Sequence, residues 1–152
     1  MGMTYTEKFT WGNKELIVKR ETSPVAVVSV ESQQVKLEKI DVADPRLRPT
    51  NFDKPEGTVL PILQAEGLRI DLSKRSKGDM TFWHRNMECD ELIFCYQGGI
   101  RWETELGNVA LKPGELFIIP RGIAHRSMLP ENSAGENIVI ELKVKSEITR
   151  LI

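Results

Sequence analysis

The sequence predicts an all-β protein, a sandwich or closed barrel of short strands, and three observations carry that reading. From Gly57 onward, β-type segments follow one another at 59–63, 68–72, 80–86, 91–97, 100–104, 108–111, 115–119, 125–129 and 138–144. Turn chemistry separates them: Gly78-Asp79, Gly98-Gly99, Gly107-Asn108 and Pro113-Gly114, where glycine permits the positive φ that tight turns need. No amphipathic helical period of useful length interrupts the series before the C-terminal tail. Many short strands with regular turn signals mark sandwiches and barrels.

The first part of the chain is organised differently. Residues 16–18 and 25–30 read as short strands, and 35–40 alternates apolar and polar residues as a half-buried strand does. Pro45, Pro49 and Pro55 then remove backbone donors along 44–57, so this stretch is expected to be an ordered connecting arm. The expected organisation is an N-terminal extension of strands and Pro-rich arm over 1–56, packing on a barrel over 57–145, with a tail over 146–152.

Composition narrows the function classes. A chain of 152 residues fits one domain. Its 21 basic and 22 acidic residues are interspersed and leave a formal net charge of -1, which offers no footprint for nucleic acid or an anionic membrane. No apolar run approaches the roughly 20 residues a membrane span needs. Met1, Gly2, Met3 and Thr4 provide neither a basic nor an apolar leader region, so a cytoplasmic location is expected. The two cysteines, Cys89 and Cys95, sit too close along one extended segment to bridge. Free thiols are expected, and without a CxxC pair no zinc ribbon is.

The chain has only two histidines, His84 and His125. Gly78, His84, Asn86, Glu91 and Gly98 form one spaced series, and Gly114, Pro120, Gly122 and His125 form a second. These segments resemble the paired motifs of the cupin superfamily in every spacing. Two residues depart: Asn86 stands in place of a second histidine, and Leu129 in place of a closing asparagine. The resemblance implies a double-stranded β-helix, or jelly-roll barrel, holding one divalent metal through His84, Glu91 and His125, with Asn86 as a weak oxygen ligand or water-orienting group. The physical logic agrees. Residues two apart in a strand share a face, so His84 and Asn86 point together. A turn at 87–90 lets Glu91 face them from the next strand, and a jelly roll brings His125 alongside. Two imidazoles and one carboxylate suit Fe(II) first, with Mn, Ni, Zn or Cu also compatible. Glu88 is a rival carboxylate, and the alternative to a metal site is a cavity used without one.

Parity with Glu91 places Ile93 and Cys95 inward, and parity with His84 places Phe82 inward. Phe94, Tyr96 and Trp102 are core or cavity candidates. Arg101 and Arg126 are candidates for a substrate carboxylate, and Cys89 is expected to be a bystander.

A narrower likeness follows from His84, Asn86, Asp90 to Phe94, Gln97 to Gly99, Glu103, Thr104, Gly107, Pro113-Gly114 and Ile119 to Gly122. These residues are similar to the N-terminal cupin half of homogentisate dioxygenases, and the arm residues Thr50 to Asp53 share the likeness more weakly. In that family the catalytic iron belongs to the other half, which this chain lacks, whereas His125 stands where the N-terminal half usually has none. The resemblance implies a stand-alone relative whose barrel keeps its own metal. The reading is a dioxygenase-like oxidoreductase acting on a small aromatic or organic acid. The alternatives are a non-enzymatic small-ligand-binding module and a metal-dependent isomerase or lyase. By analogy with other cupins, a homodimer is expected.

Overall fold

The computed structural model describes residues 4–23 and 37–152. The chain forms two compact units, Met1–Ile40 and Asp41–Ile152. In the first, β1 (Tyr5–Trp11) and β2 (Lys14–Arg20) make an antiparallel hairpin. Gly12 opens its two-residue loop at φ 57°, a conformation that side chains resist. Lys8–Glu15 at 2.8 Å and Arg20–Glu7 at 2.6 Å pair across the strands. Of the sequence expectations here, 16–18 lies inside β2, while β1 was not foreseen. The expected strand at 25–30 and the start of that at 35–40 lie outside the described residues. The rest of the latter, 37–40, is not a strand.

The second unit begins with the Pro-rich arm, held by successive turns and one turn of 3-10 helix, Thr50–Phe52. Asn51 ties it down, donating to Ser73 Oγ at 2.7 Å and accepting from the Lys74 amide at 3.2 Å. Eight strands follow: β3 (Leu60–Ala65), β4 (Leu68–Ser73), β5 (Asp90–Gln97), β6 (Ile100–Thr104), β7 (Gly107–Leu111), β8 (Leu116–Ile119), β9 (His125–Met128) and β10 (Ile138–Val144). They form a five-stranded sheet, β3-β4-β10-β5-β8, and a three-stranded sheet, β7-β6-β9, antiparallel throughout. Ile93, Cys95, Ile119 and Val139 of the larger sheet pack with Ile100, Trp102 and Leu111 of the smaller one as the core. Residues 146–152 form no helix, and among the described residues no helix is long and apolar enough to cross a membrane.

One expected strand is missing. Segment 80–86 meets β9 only through the Met80 amide on Ser127 O and a reciprocal backbone pair between His84 and His125. Five residues, 80 to 84, therefore oppose three, 127 to 125. That excess bulges the segment and breaks side-chain parity, which explains why Phe82 and Trp83 are 43% and 47% exposed.

The arm also predicts a stability result. A Cβ on Gly57 would lie 2.4 Å from the Thr50 backbone, whereas one on Gly135 would meet nothing within 4 Å. Gly57→Ala is expected to cost about 1–3 kcal/mol in urea unfolding, the range for overpacked sites. Gly135→Ala should stay within roughly 0.5 kcal/mol of the parent.

Candidate metal centre

Each of the three ligand candidates is placed by backbone pairing. Glu91, second residue of β5, pairs with Lys143 on one side and Ile119 on the other. His125 opens β9, and His84 lies opposite it, with N–H to carbonyl distances of 3.1 and 3.0 Å in the two directions. The two imidazole centroids are 4.2 Å apart at 62°. One ligand atom from each of His84, Glu91 and His125 lies within 4.8 Å of the others, so the cluster can hold a metal ion.

Hydrogen bonding prepares the donors. His125 Nδ1 donates to the Ile123 carbonyl at 2.9 Å, which leaves Nε2 facing Glu91 Oε2 at 2.9 Å. Such a second-sphere bond fixes tautomer and ring orientation. Nδ1 of His84 is buried without a hydrogen-bond partner among the described residues, a costly arrangement for a polar atom unless something else satisfies it. Two imidazoles, one carboxylate and an orphaned ring nitrogen fit a divalent metal.

Charge around the cluster is organised by burial and pairing. Burial lowers the His84 pKa, and the charge of His125 adds to that. Burial also opposes charge on His125, but the bonds with Glu91 and the Ile123 carbonyl outweigh it and its pKa is raised. For Glu91, burial is overcome by His125 and Lys143, and the pKa is lowered. Lys143 Nζ lies 3.0 Å from Asp71, 3.7 Å from Glu91 and 3.9 Å from Glu141. Despite burial, those carboxylates raise its pKa. Burial pushes the Glu141 pKa up to about 7, and Lys143 at 3.9 Å offsets only part of that rise. All these groups except Asp71 line one cavity of about 270 Å³, with Met80, Phe82 and Trp102 among its apolar walls.

Other expected residues lie elsewhere. Asn86 Oδ1 accepts from the amides of Glu88 and Cys89 at 3.1 and 3.3 Å, and Asn86 lines a separate hollow with exposed Glu88 and buried Cys89. Expected as a weak oxygen ligand or water-orienting group, it is not among the residues that line the first cavity. Arg101 donates to the Leu129 carbonyl at 2.8 Å. Arg126 pairs with Glu103 at 2.6 Å and stacks over Trp83. Neither arginine lines the cavity. Both thiols are free, and Ile93 and Cys95 are inward as expected.

Sequence reasoning missed Glu141, Lys143 and Arg75, all of which line the cavity. The first two carried a signal: charges two apart in a strand whose inward phase also holds Val139. Arg75 carried none, because Lys74-Arg75-Ser76-Lys77 reads as a solvated basic turn.

Comparison with known proteins agrees with this architecture. A Bacteroides fragilis cupin protein superposes with a TM-score of 0.54 at 14% identity, covering 74% of this chain and 87% of that one. A Thermus thermophilus protein gives 0.57 at 19% identity, covering 72% and 98%. These likenesses establish the cupin fold. A Saccharolobus solfataricus protein provisionally named a dioxygenase is 26% identical over 92 residues, 57% of this chain and 24% of its own. Homogentisate 1,2-dioxygenase of Nitrobacter hamburgensis is 38% identical over 66 residues, 43% of this chain and 14% of its own. The chain thus spans a quarter or less of the length of these relatives. The family described as Homogentisate 1,2-dioxygenase N-terminal matches residues 59–146, more than half of the sequence, and the chain belongs to that family.

Proposed function

We propose that this chain is a metal-dependent, dioxygenase-like oxidoreductase that acts on a small aromatic or organic acid, with Fe(II) as its metal. The observation that carries the reading is the convergence of His84, Glu91 and His125 at one cavity. Two histidines and a carboxylate leave coordination positions open for ligands and are the donor set of non-haem iron oxygenases. Iron held there would supply the redox chemistry by which O₂ reacts with an organic substrate. The chain's own residues do the rest. Ile123 keeps the Nδ1 proton of His125 and so leaves Nε2 available. Lys143 sits against the second oxygen of Glu91 and holds negative charge at that carboxylate. Met80, Phe82 and Trp102 give the cavity apolar surfaces that suit an aromatic ring and exclude water.

A second reading has one observation in its favour. Glu141, buried beside the cluster with a pKa of about 7, is poised to hold or release a proton at neutral pH. A metal-dependent isomerase or lyase needs such a group, and the sequence alone named none. Oxygen consumption separates the two readings.

Anaerobic titration of the metal-free protein with Fe(II) is expected to give about one ion per chain, the stoichiometry of a mononuclear site. His125→Ala and Glu91→Gln should each weaken that binding by at least about 100-fold, since losing even an outer partner of a ligand costs 10–100-fold. Loaded protein should consume O₂ with a member of a catechol and hydroquinone panel. Stoichiometric binding with no oxygen uptake would favour the isomerase or ligand-binding alternatives, and no binding at all would remove the metal reading.

Glu141 predicts a pH effect. Its folded pKa, about 7, lies above its ordinary value of 4.5. Its contribution to stability is thus fully present below about 4.5 and is lost as the pH rises through about 7. Burial acts on His84 with the opposite sign, so the measurement is the difference between wild type and Glu141→Gln. In urea titrations of metal-free protein the variant should gain relative stability from about pH 4.5 to 7 and level off above that.

A further inference from the structure

We infer that Arg75 is the anchor for the carboxylate of a small organic monoacid bound in the cavity. The inference rests on reading the cavity as a substrate site, though not on a metal being bound. Arg75 follows the end of β4 and is 0% exposed. A guanidinium carries five N–H donors. Nε donates to Ser127 Oγ at 2.8 Å, and Nη1 donates to the carbonyls of Gly78 at 3.1 Å and Pro55 at 3.2 Å. These bonds hold the group in a fixed orientation. Nη2 is buried and makes no hydrogen bond among the described residues.

Its charge is also unmatched. Lys74, buried to the same degree, has Glu136 at 3.1 Å, and Lys143 has Asp71 at 3.0 Å. No carboxylate of the described residues lies within ion-pair distance of Arg75, and Glu141 and Asp79 act on it only from further away. Arginine does not escape burial by losing its proton, and a buried charge without a partner is strongly destabilising. An anion from outside the chain is the missing partner, and a carboxylate oxygen accepting from Nη2 makes the charge-assisted hydrogen bond that a guanidinium forms best.

Position and charge narrow the ligand. Arg75 lines the same cavity as His84, Glu91 and His125, with Phe82 and Trp102 on its walls. Ser127, which fixes Arg75 Nε, lies two residues after His125 on β9 and shares its face. A small acid can therefore place its carboxylate on Arg75 and its body against the aromatic walls, near the histidines. Glu91 and Glu141 also face the cavity, where Lys143 is already paired with Asp71 and Glu91, so the charge left unmatched is that of Arg75 and suits a monoanion.

The test uses metal-free wild-type protein at constant ionic strength, titrated with acetate and benzoate and with their neutral counterparts, acetamide and benzamide. The Arg75 Nε–H resonance, assigned by its loss in Arg75→Lys, reports the site. At least one acid is expected to bind saturably, to move that resonance, and to bind about tenfold or more tightly than its amide, as a charge-assisted bond requires. Arg75→Met should lose that preference and Arg75→Lys should retain part of it. If one variant fails to fold, the other assigns the resonance, and if both fail the wild-type comparison of acid with amide decides alone. The inference is overturned if neither acid binds, if acid and amide bind within about twofold of each other, or if an acid saturates while the Arg75 resonance stays in place. Failure of the metal reading would appear in the Fe(II) titration and leave these results unchanged.

Discussion

The reciprocal backbone bonds between His84 and His125, at 3.1 and 3.0 Å, are the contact on which the centre depends. In an antiparallel sheet two residues that exchange both N–H···O bonds lie directly opposite and project to one face. Residues far apart in the chain thereby present their imidazoles together. The pairing is confined to this bridge, since the segment before it bulges away toward Met80. Glu91 needs no such device, because the register of β5 against β8 and β10 fixes it. Two backbone arrangements, one a single bridge and the other a full ladder, therefore converge on one point.

Putting three potential ligands on the inner face of a sandwich sets an electrostatic problem for the residues behind them. Cross-strand register places Asp71 opposite Glu141 and Lys143 opposite Glu91, so a charged patch replaces apolar packing on the inner face of β4, β10 and β5. Asp71 is fully buried and is matched by Arg69 at 2.8 Å and Lys143 at 3.0 Å. A buried ion pair of this kind adds little net stability. Its effect is to hold Glu91 and Lys143 in place. The core proper begins one step along, at Ile93, Cys95, Val139 and Trp102, and the cavity occupies the space between the charged and apolar ends.

How much of this was legible depended on which signals are local. The strands after Gly57 were readable because period-two alternation and glycine turns are written in consecutive residues. The three metal candidates were readable because histidine is scarce here and both copies fall in register with Glu91. Segment 80–86 failed because a bulge depends on where Ser127 and His125 lie, and nothing between Met80 and Asn86 announces it. That bulge leaves Phe82 43% exposed, yet its ring still lines the cavity beside His84. β1 was missed because Glu7 and Lys8 interrupt an otherwise β-favouring run, although Gly12-Asn13 is a hairpin signal. Arg101 and Arg126 were singled out for being in strands near the motifs, yet each is satisfied locally. Arg75 sits in a run of basic residues that looks solvated, and only the folding of the arm and β9 around it makes it buried.

Asn86 shows why a departure from a motif need not be a loss. Its side-chain oxygen gathers the amides of Glu88 and Cys89, and its carbonyl accepts the Gly122 amide at 2.7 Å. Arg85 reinforces the same junction, donating to the Gly122 carbonyl at 2.6 Å and pairing with Glu105. Position 86 thus clamps the turn that leads into Glu91 to the loop that leads into His125. An Asx-type oxygen closes such a turn directly, and its two lone pairs serve both amides, whereas a neutral imidazole offers a single acceptor lone pair. The residue at this position works as the joint between the two segments that deliver His84, Glu91 and His125. His84, Glu91 and His125 are left as the cluster that can hold a metal ion.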